Sequence, residues 1–166
     1  MLHVPTDLKR ASPTMIGGLV LLTAAAVILA ALGFEHIGGY VPCPLCLQQR
    51  YAYYGGIPAL LAALVLIRDG RTTPAAAIFL LVAAAFVVNA GLGVYQAGAE
   101  WEFWDPPACT KRDGTPTLDI GKEAPPCGVI VWQFLGLSFA GWNVVASAVL
   151  AAGAVTAALK AMRRLP

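Results

Sequence analysis

The chain has 166 residues, of which 58% are apolar and 12% charged, with a formal net charge of +2 and a mean hydropathy of +0.71. A soluble domain is about 45–50% apolar and about 25% charged, so this composition excludes an ordinary globular core and points to spans in lipid. The basic residues lie in scattered clusters beside apolar runs and give no basis for a nucleic-acid partner. The length holds one membrane domain and no separate soluble one, so residues 1–166 read as a single domain.

Four apolar stretches predict four transmembrane helices, over about 15–34, 51–67, 75–98 and 138–159. Each is near the ~20 residues that a helix needs to cross ~30 Å of hydrocarbon. None carries an ionised residue in its interior, in keeping with the cost of charge at mid-bilayer. The first stretch follows Lys9 and Arg10 and invites comparison with a cleaved signal peptide. Its apolar run of roughly 20 residues exceeds the 7–15 of such a segment, so a retained span is expected. Gly17-Gly18, Gly55-Gly56 and Gly91-x-Gly93 suit close helix approach. Pro58 is expected to kink the second span, and Asn89 to form an interhelical hydrogen bond.

Orientation follows from the Lys/Arg bias. Both termini share a side with the 68–74 loop, and that side holds Lys9, Arg10, Arg68, Arg71, Lys160, Arg163 and Arg164. The other side holds Arg50, Lys111, Arg112 and Lys122, spread over loops 35–50 and 99–137. The richer side is expected to face the cytoplasm. In the long outer loop, Trp101-Glu102-Phe103-Trp104 reads as an interfacial anchor. Residues 105–126 are rich in Pro, Gly, Asp and Lys and read as irregular. Gly128–Leu137 turns apolar again. Added to the fourth span it is too long for one straight crossing, so a short interfacial segment is expected there. The predicted fold is all-α: a four-helix transmembrane bundle with that short segment and one long outer loop.

This orientation puts all four cysteines, Cys43, Cys46, Cys109 and Cys127, on the outer, oxidising side, where disulfides persist. Cys43-Pro44-Leu45-Cys46 is a CxxC dithiol. Such pairs gain thiolate character at a helix N-terminus or near a cation. Arg50, four residues after Cys46, shares its helix face if the helix begins that early. There it serves either a thiolate or the carbonyl of a bound ring, or it is a snorkelling anchor. Cys109 and Cys127, in the Pro/Gly-rich loop, suit either a staple worth up to about 3 kcal/mol or thiol–disulfide exchange with the CxxC, which needs one sulfur to reach another. A four-thiolate zinc site is the other alternative; structural sites of that kind usually have two short-spaced pairs, and only one is present.

The run Pro42-Cys43-Pro44-Leu45-Cys46-Leu47-Gln48-Gln49-Arg50 at the head of the second span resembles the signature of the DsbB disulfide bond formation proteins. So do Trp132-Gln133-Phe134-Leu135-Gly136-Leu137-Ser138 before the last span, and Tyr95 to Trp104 with Cys109 soon after. The resemblance extends from Met15 to Leu159. It implies a membrane thiol oxidase of the bacterial inner membrane with both termini cytoplasmic. A reduced periplasmic thioredoxin-like (DsbA-like) oxidase would attack a Cys109–Cys127 disulfide, with Cys109 as the mixed-disulfide partner. Cys43–Cys46 would reoxidise that pair, and Cys46 would pass two electrons to a quinone, ubiquinone or menaquinone, beside Arg50. The chain departs from the family pattern at Gln49, where an acid is frequent, at Tyr95-Gln96-Ala97, where some members carry a histidine, and at Gly128, where an acid is frequent. These positions bear on the quinone site and partner preference, not on the four thiols. Two other readings carry different tests. In a vitamin K epoxide reductase type of oxidoreductase the loop cysteines precede the CxxC, whereas here the CxxC comes first. In a non-catalytic subunit both disulfides would resist reduction.

Overall fold

The computed structural model describes residues 12–104 and 127–163. Four helices follow one another: α1 (Pro13–His36), α2 (Pro44–Arg68), α3 (Thr72–Glu100) and α4 (Phe139–Met162). Each is long and apolar enough to cross a membrane. The chain is thus the four-helix membrane bundle that its composition predicts. Leu22, Leu29, Leu81 and Val88 point outward and stay exposed, as a lipid solvent requires.

The helices run past the apolar stretches because local chemistry starts them early. Pro13 and Pro44 occupy first-turn positions, where a missing N–H costs nothing and a fixed φ helps. Ser12 and Ser138 cap α1 and α4, their Oγ atoms accepting the backbone N–H of Met15 at 3.1 Å and of Gly141 at 3.2 Å. For this reason α2 begins at Pro44 rather than Tyr51, which brings the whole CxxC to a helix end. Between α2 and α3, Gly70 takes a positive φ of 75° in a short turn.

The interior is built from small residues and a few rings. Phe79, Phe86, Leu60 and Leu150 are fully buried, and alanines such as Ala24, Ala63, Ala154 and Ala158 are buried around them. With lipid as apolar as leucine, close packing rather than water exclusion holds such helices together. Gly17 faces the Phe79 ring, Gly56 the Phe86 ring and Gly93 the Val144 side chain, so a Cβ at Gly17 or Gly93 would collide. Gly18, Gly55 and Gly91 face open space; of each expected glycine pair, one member makes the contact. Asn89 is buried and donates to Ser147 Oγ at 3.0 Å and Asn143 Oδ1 at 3.3 Å on α4, the interhelical bonding its sequence position suggests.

Ahead of α4 the short segment is an antiparallel hairpin, β1 (Gln133–Phe134) with β2 (Leu137–Ser138). Its turn residues Leu135 and Gly136 both have positive φ, 51° and 81°. That is the handedness a two-residue hairpin loop needs. The antiparallel order of the helices gathers the C-terminal ends of α1 and α3, the N-terminal ends of α2 and α4, and this hairpin at one end of the bundle. The chemistry is concentrated there.

Candidate functional site

Cys43 is the N-cap of α2, and its Sγ accepts the backbone N–H of Cys46 at 3.1 Å. The motif spacing therefore has a local cause. With Cys43 as cap and Pro44 at the first helical position, Cys46 falls in the first turn with its backbone N–H turned to its partner's sulfur. Both thiols are free, and Cys43 is buried. The Cys43 thiol is pushed far above the ordinary range, first by its hydrogen bond to the Cys46 sulfur and then by burial. Cys43 therefore keeps its proton, while Cys46 lies in the first turn of a helix, where a thiolate is favoured.

The Cys46 sulfur is held from α3. Gln96 Nε2 donates to Cys46 Sγ at 3.4 Å, and the thiol reaches Gln96 Oε1 at 3.7 Å. Gln96 Nε2 also donates to Glu100 Oε1 at 3.1 Å, one helical turn on. The other carboxylate oxygen of Glu100 accepts from Ser138 Oγ. A second branch runs inward. Gln49 Nε2 donates to Gln96 Oε1 at 2.7 Å, Asn143 Nδ2 to Gln49 Oε1 at 2.6 Å, and Tyr53 Oη to Asn143 Oδ1 at 2.8 Å. Side chains from α2, α3 and α4 thus form one buried polar network that starts at the CxxC. Inside a bundle such a network is stable only when its members are paired.

Beside it opens a cavity of about 480 Å³. Its polar wall is Cys46, Gln49, Arg50, Gln96 and Glu100, and its apolar wall is Val27, Ile28, Phe34, Trp132, Phe139 and Trp142 among others. The rings are continuous. Trp132 stacks on Phe139 at 4.6 Å between centroids, and Phe34 meets both at 5.3 and 5.0 Å. Phe134 of the hairpin extends the cluster to Trp132 and Trp142. Small-molecule sites have this character: mostly apolar and aromatic, with a few convergent polar groups.

Arg50 lines the cavity with Cys46, as their spacing predicts, but its guanidinium is paired with Glu35 at the end of α1. A carboxylate thus reaches Arg50 from another helix, although its own neighbour is Gln49. Cys127 is buried and disulfide-bonded, and it packs in one cluster with Cys43, Leu45, Cys46 and Leu92. The chain after Glu100 folds back, with Trp104 Nε1 donating to Tyr95 O at 2.9 Å and its ring covering Gly98. Cys109 lies outside the described residues. The sequence marks Gln96 only within a departure from the family pattern; Glu100, Glu35, Tyr53, Asn143 and Ser138 are not marked as site residues. A usable signal existed for some: polar side chains at the ends of, or within, otherwise apolar spans are candidates for function.

The family model for the disulfide bond formation protein DsbB matches residues 13–157 of the chain. The chain belongs to the DsbB family. Disulfide bond formation protein B of Marinobacter nauticus is 34% identical over 145 residues, which cover 78% of this chain and 82% of that one. The protein of the same name from Verminephrobacter eiseniae is 30% identical over 152 residues, covering 84% and 82%. That from Paracidovorax citrulli is 32% identical over 160 residues, covering 87% of each chain. No solved structure matches the chain. Membership of the DsbB family makes the chain a disulfide oxidoreductase.

Proposed function

We propose that the chain is a thiol:quinone oxidoreductase that reoxidises a soluble thioredoxin-fold disulfide donor of the DsbA type and passes the electrons to a membrane quinone. The observation that carries this reading is the cavity of about 480 Å³ that opens on Cys46 between aromatic walls, with a guanidinium on its rim. A quinone fits its chemistry. The ring is apolar and flat, to lie among Phe34, Trp132 and Phe139, and its oxygens are acceptors for Arg50. When bound, a quinone supplies a two-electron acceptor that is soluble in lipid.

The residues of the chain then divide the work. Cys109 and Cys127 form the pair that meets the soluble partner, Cys109 taking the mixed disulfide. Exchange needs a thiolate in line with a disulfide, and the packing of Cys127 against Cys43 supports transfer between the two pairs. Reoxidation of the loop pair leaves Cys43 and Cys46 as a dithiol, and as that dithiol closes again to a disulfide a quinone held against Cys46 would take its two electrons. The Lys/Arg bias supports an inner-membrane protein with both termini cytoplasmic and the cysteines in the periplasm, where an oxidising path is useful. On this reading residues 1–166 are one membrane domain.

Quinone reduction by the purified protein in detergent tests the proposal. With a reduced thioredoxin-fold oxidase as donor, the wild type should consume ubiquinone or menaquinone catalytically, and Cys46→Ser should not. No turnover by the wild type with either quinone and several donors would refute it.

A further inference from the structure

The polar network holds a carboxylate that the electron path does not use. Glu100 ends α3 beside the CxxC and lines the same cavity as Cys46. One amide joins them: Gln96 Nε2 lies 3.4 Å from Cys46 Sγ and 3.1 Å from Glu100 Oε1. Ser138 holds the second carboxylate oxygen. These are neutral donors. Among the described residues Glu100 forms no ion pair, since the nearby Arg50 is taken by Glu35. Among the described residues its partners are the dipoles of Gln96 and Ser138, and it lies on the same cavity wall as Cys46, where a general acid–base group can act.

We propose that Glu100 takes the proton of Cys46 and delivers it to the quinone. The inference rests on the thiol:quinone reading above. The reduced motif holds two thiol protons. Cys46 gives its proton to the Glu100 carboxylate, which leaves a thiolate and a carboxylic acid. As the Cys43–Cys46 S–S bond forms, the S–H bond of Cys43 breaks and the electron pair of the dithiol passes to quinone, the oxidant. The two quinone oxygens receive two protons, one from Cys43 and one from Glu100, and the Glu100 carboxylate is restored. Gln96 is a positioning residue, fixing carboxylate and sulfur on the same wall. The titratable groups that share the cavity are Glu35 and Tyr40 from α1 and its exit, and Cys43, Cys46, Arg50 and Tyr53 from α2 or its cap. The hairpin and α4 contribute none to its lining.

Glu100→Gln keeps size and hydrogen-bonding capacity while removing the acid. The first readout needs no quinone: an infrared difference spectrum of the full chain, reduced minus oxidised. The wild type should gain a carboxylic-acid carbonyl band on reduction, and Glu100→Gln should lack it. The second is quinone reduction across pH. General acid–base groups contribute roughly a hundredfold or more, so Glu100→Gln should slow turnover by about that factor and lose the acidic limb of the profile, with Glu100→Asp recovering part of both. The helical circular dichroism of Glu100→Gln in detergent should match the wild type, which shows that the variant is folded. A band that persists in Glu100→Gln, or a wild-type rate and pH profile in that variant, overturns the assignment. A wild type that reduces no quinone while its carboxyl band still appears overturns the underlying reading instead, and with it the delivery step.

Discussion

Cys46 and Gln96 are 50 positions apart in sequence, yet the Gln96 amide donates to the Cys46 sulfur at 3.4 Å. That contact ties the redox motif of α2 to the end of α3. It also opens the network that continues through Gln49 and Asn143 toward the middle of the bundle. The thiol chemistry and the packing of the bundle therefore share residues, and the two can be tested separately.

Asn143 is the hub of the inner branch, bonded to Gln49, Tyr53 and Asn89. Asn143→Leu takes one partner from each of the three and should destabilise the bundle by about 1–3 kcal/mol. Among the described residues Asn89 Oδ1 is buried without a partner, so Asn89→Leu should cost less, about 0.6 kcal/mol, the average for interhelical bonds in lipid. Unfolding titrations in mixed micelles should rank the two in that order; equal losses would mean that Asn143 is not the hub.

The fold-back after α3 depends on a glycine. A Cβ at Gly98 would lie 2.0 Å from the Trp104 ring, whereas one at Gly91 meets nothing within 4 Å. Gly98→Ala should displace Trp104, shift its fluorescence and cost about 1–3 kcal/mol of overpacking. Gly91→Ala should be neutral, or stabilising by up to about 1 kcal/mol through helix propensity.

Arg50 is expected to act on cavity binding rather than on the thiols. Arg50→Lys removes the planar fork and should raise the KM for quinone about tenfold, with exchange against the soluble donor unchanged. Glu35→Gln, which frees the guanidinium from its partner, should shift the KM less. A loss confined to donor exchange would place Arg50 outside the cavity chemistry.

The two thiols of the motif should differ in reactivity. Cys43 is buried, and its hydrogen bond to Cys46 together with burial pushes its titration far upward. Near neutral pH it therefore stays protonated and unreactive, while Cys46 lies on the cavity wall. Brief alkylation of the reduced protein, read by peptide mapping, should label Cys46 first. Cys43 should follow only after unfolding.

Most of the architecture could be read from residue order. Spans of apolar length, the charge bias and the CxxC ahead of the second span depend on composition and local spacing, and these reported a four-helix bundle with Arg50 and Cys46 on one helix face. Local caps moved the ends, since Cys43 and Pro44 start α2 before its apolar run. The neighbours of Cys46 were not legible. Gln96 reaches it, and Glu100 and Ser138 join through Gln96, only because the helices pack antiparallel; their spacing from Cys46 carries no periodic signal. Glu100 falls within the loop 99–137 expected from the sequence, whereas α3 extends to include it. The ion pair of Arg50 with Glu35 was hidden for the same reason, because it joins two helices across a turn.

The central claim is that electrons leave the protein through Cys43–Cys46 into a quinone held in the aromatic cavity. The most direct measurement is a single turnover without oxygen or donor. Protein reduced at the motif is mixed with excess quinone, and quinol formed and thiols lost are counted together. The account predicts one quinol for each pair of thiols, with peptide mapping placing the new disulfide between Cys43 and Cys46 and no quinol from Cys46→Ser. Quinol formed equally by Cys46→Ser, or thiols lost with no quinol at all, would contradict it.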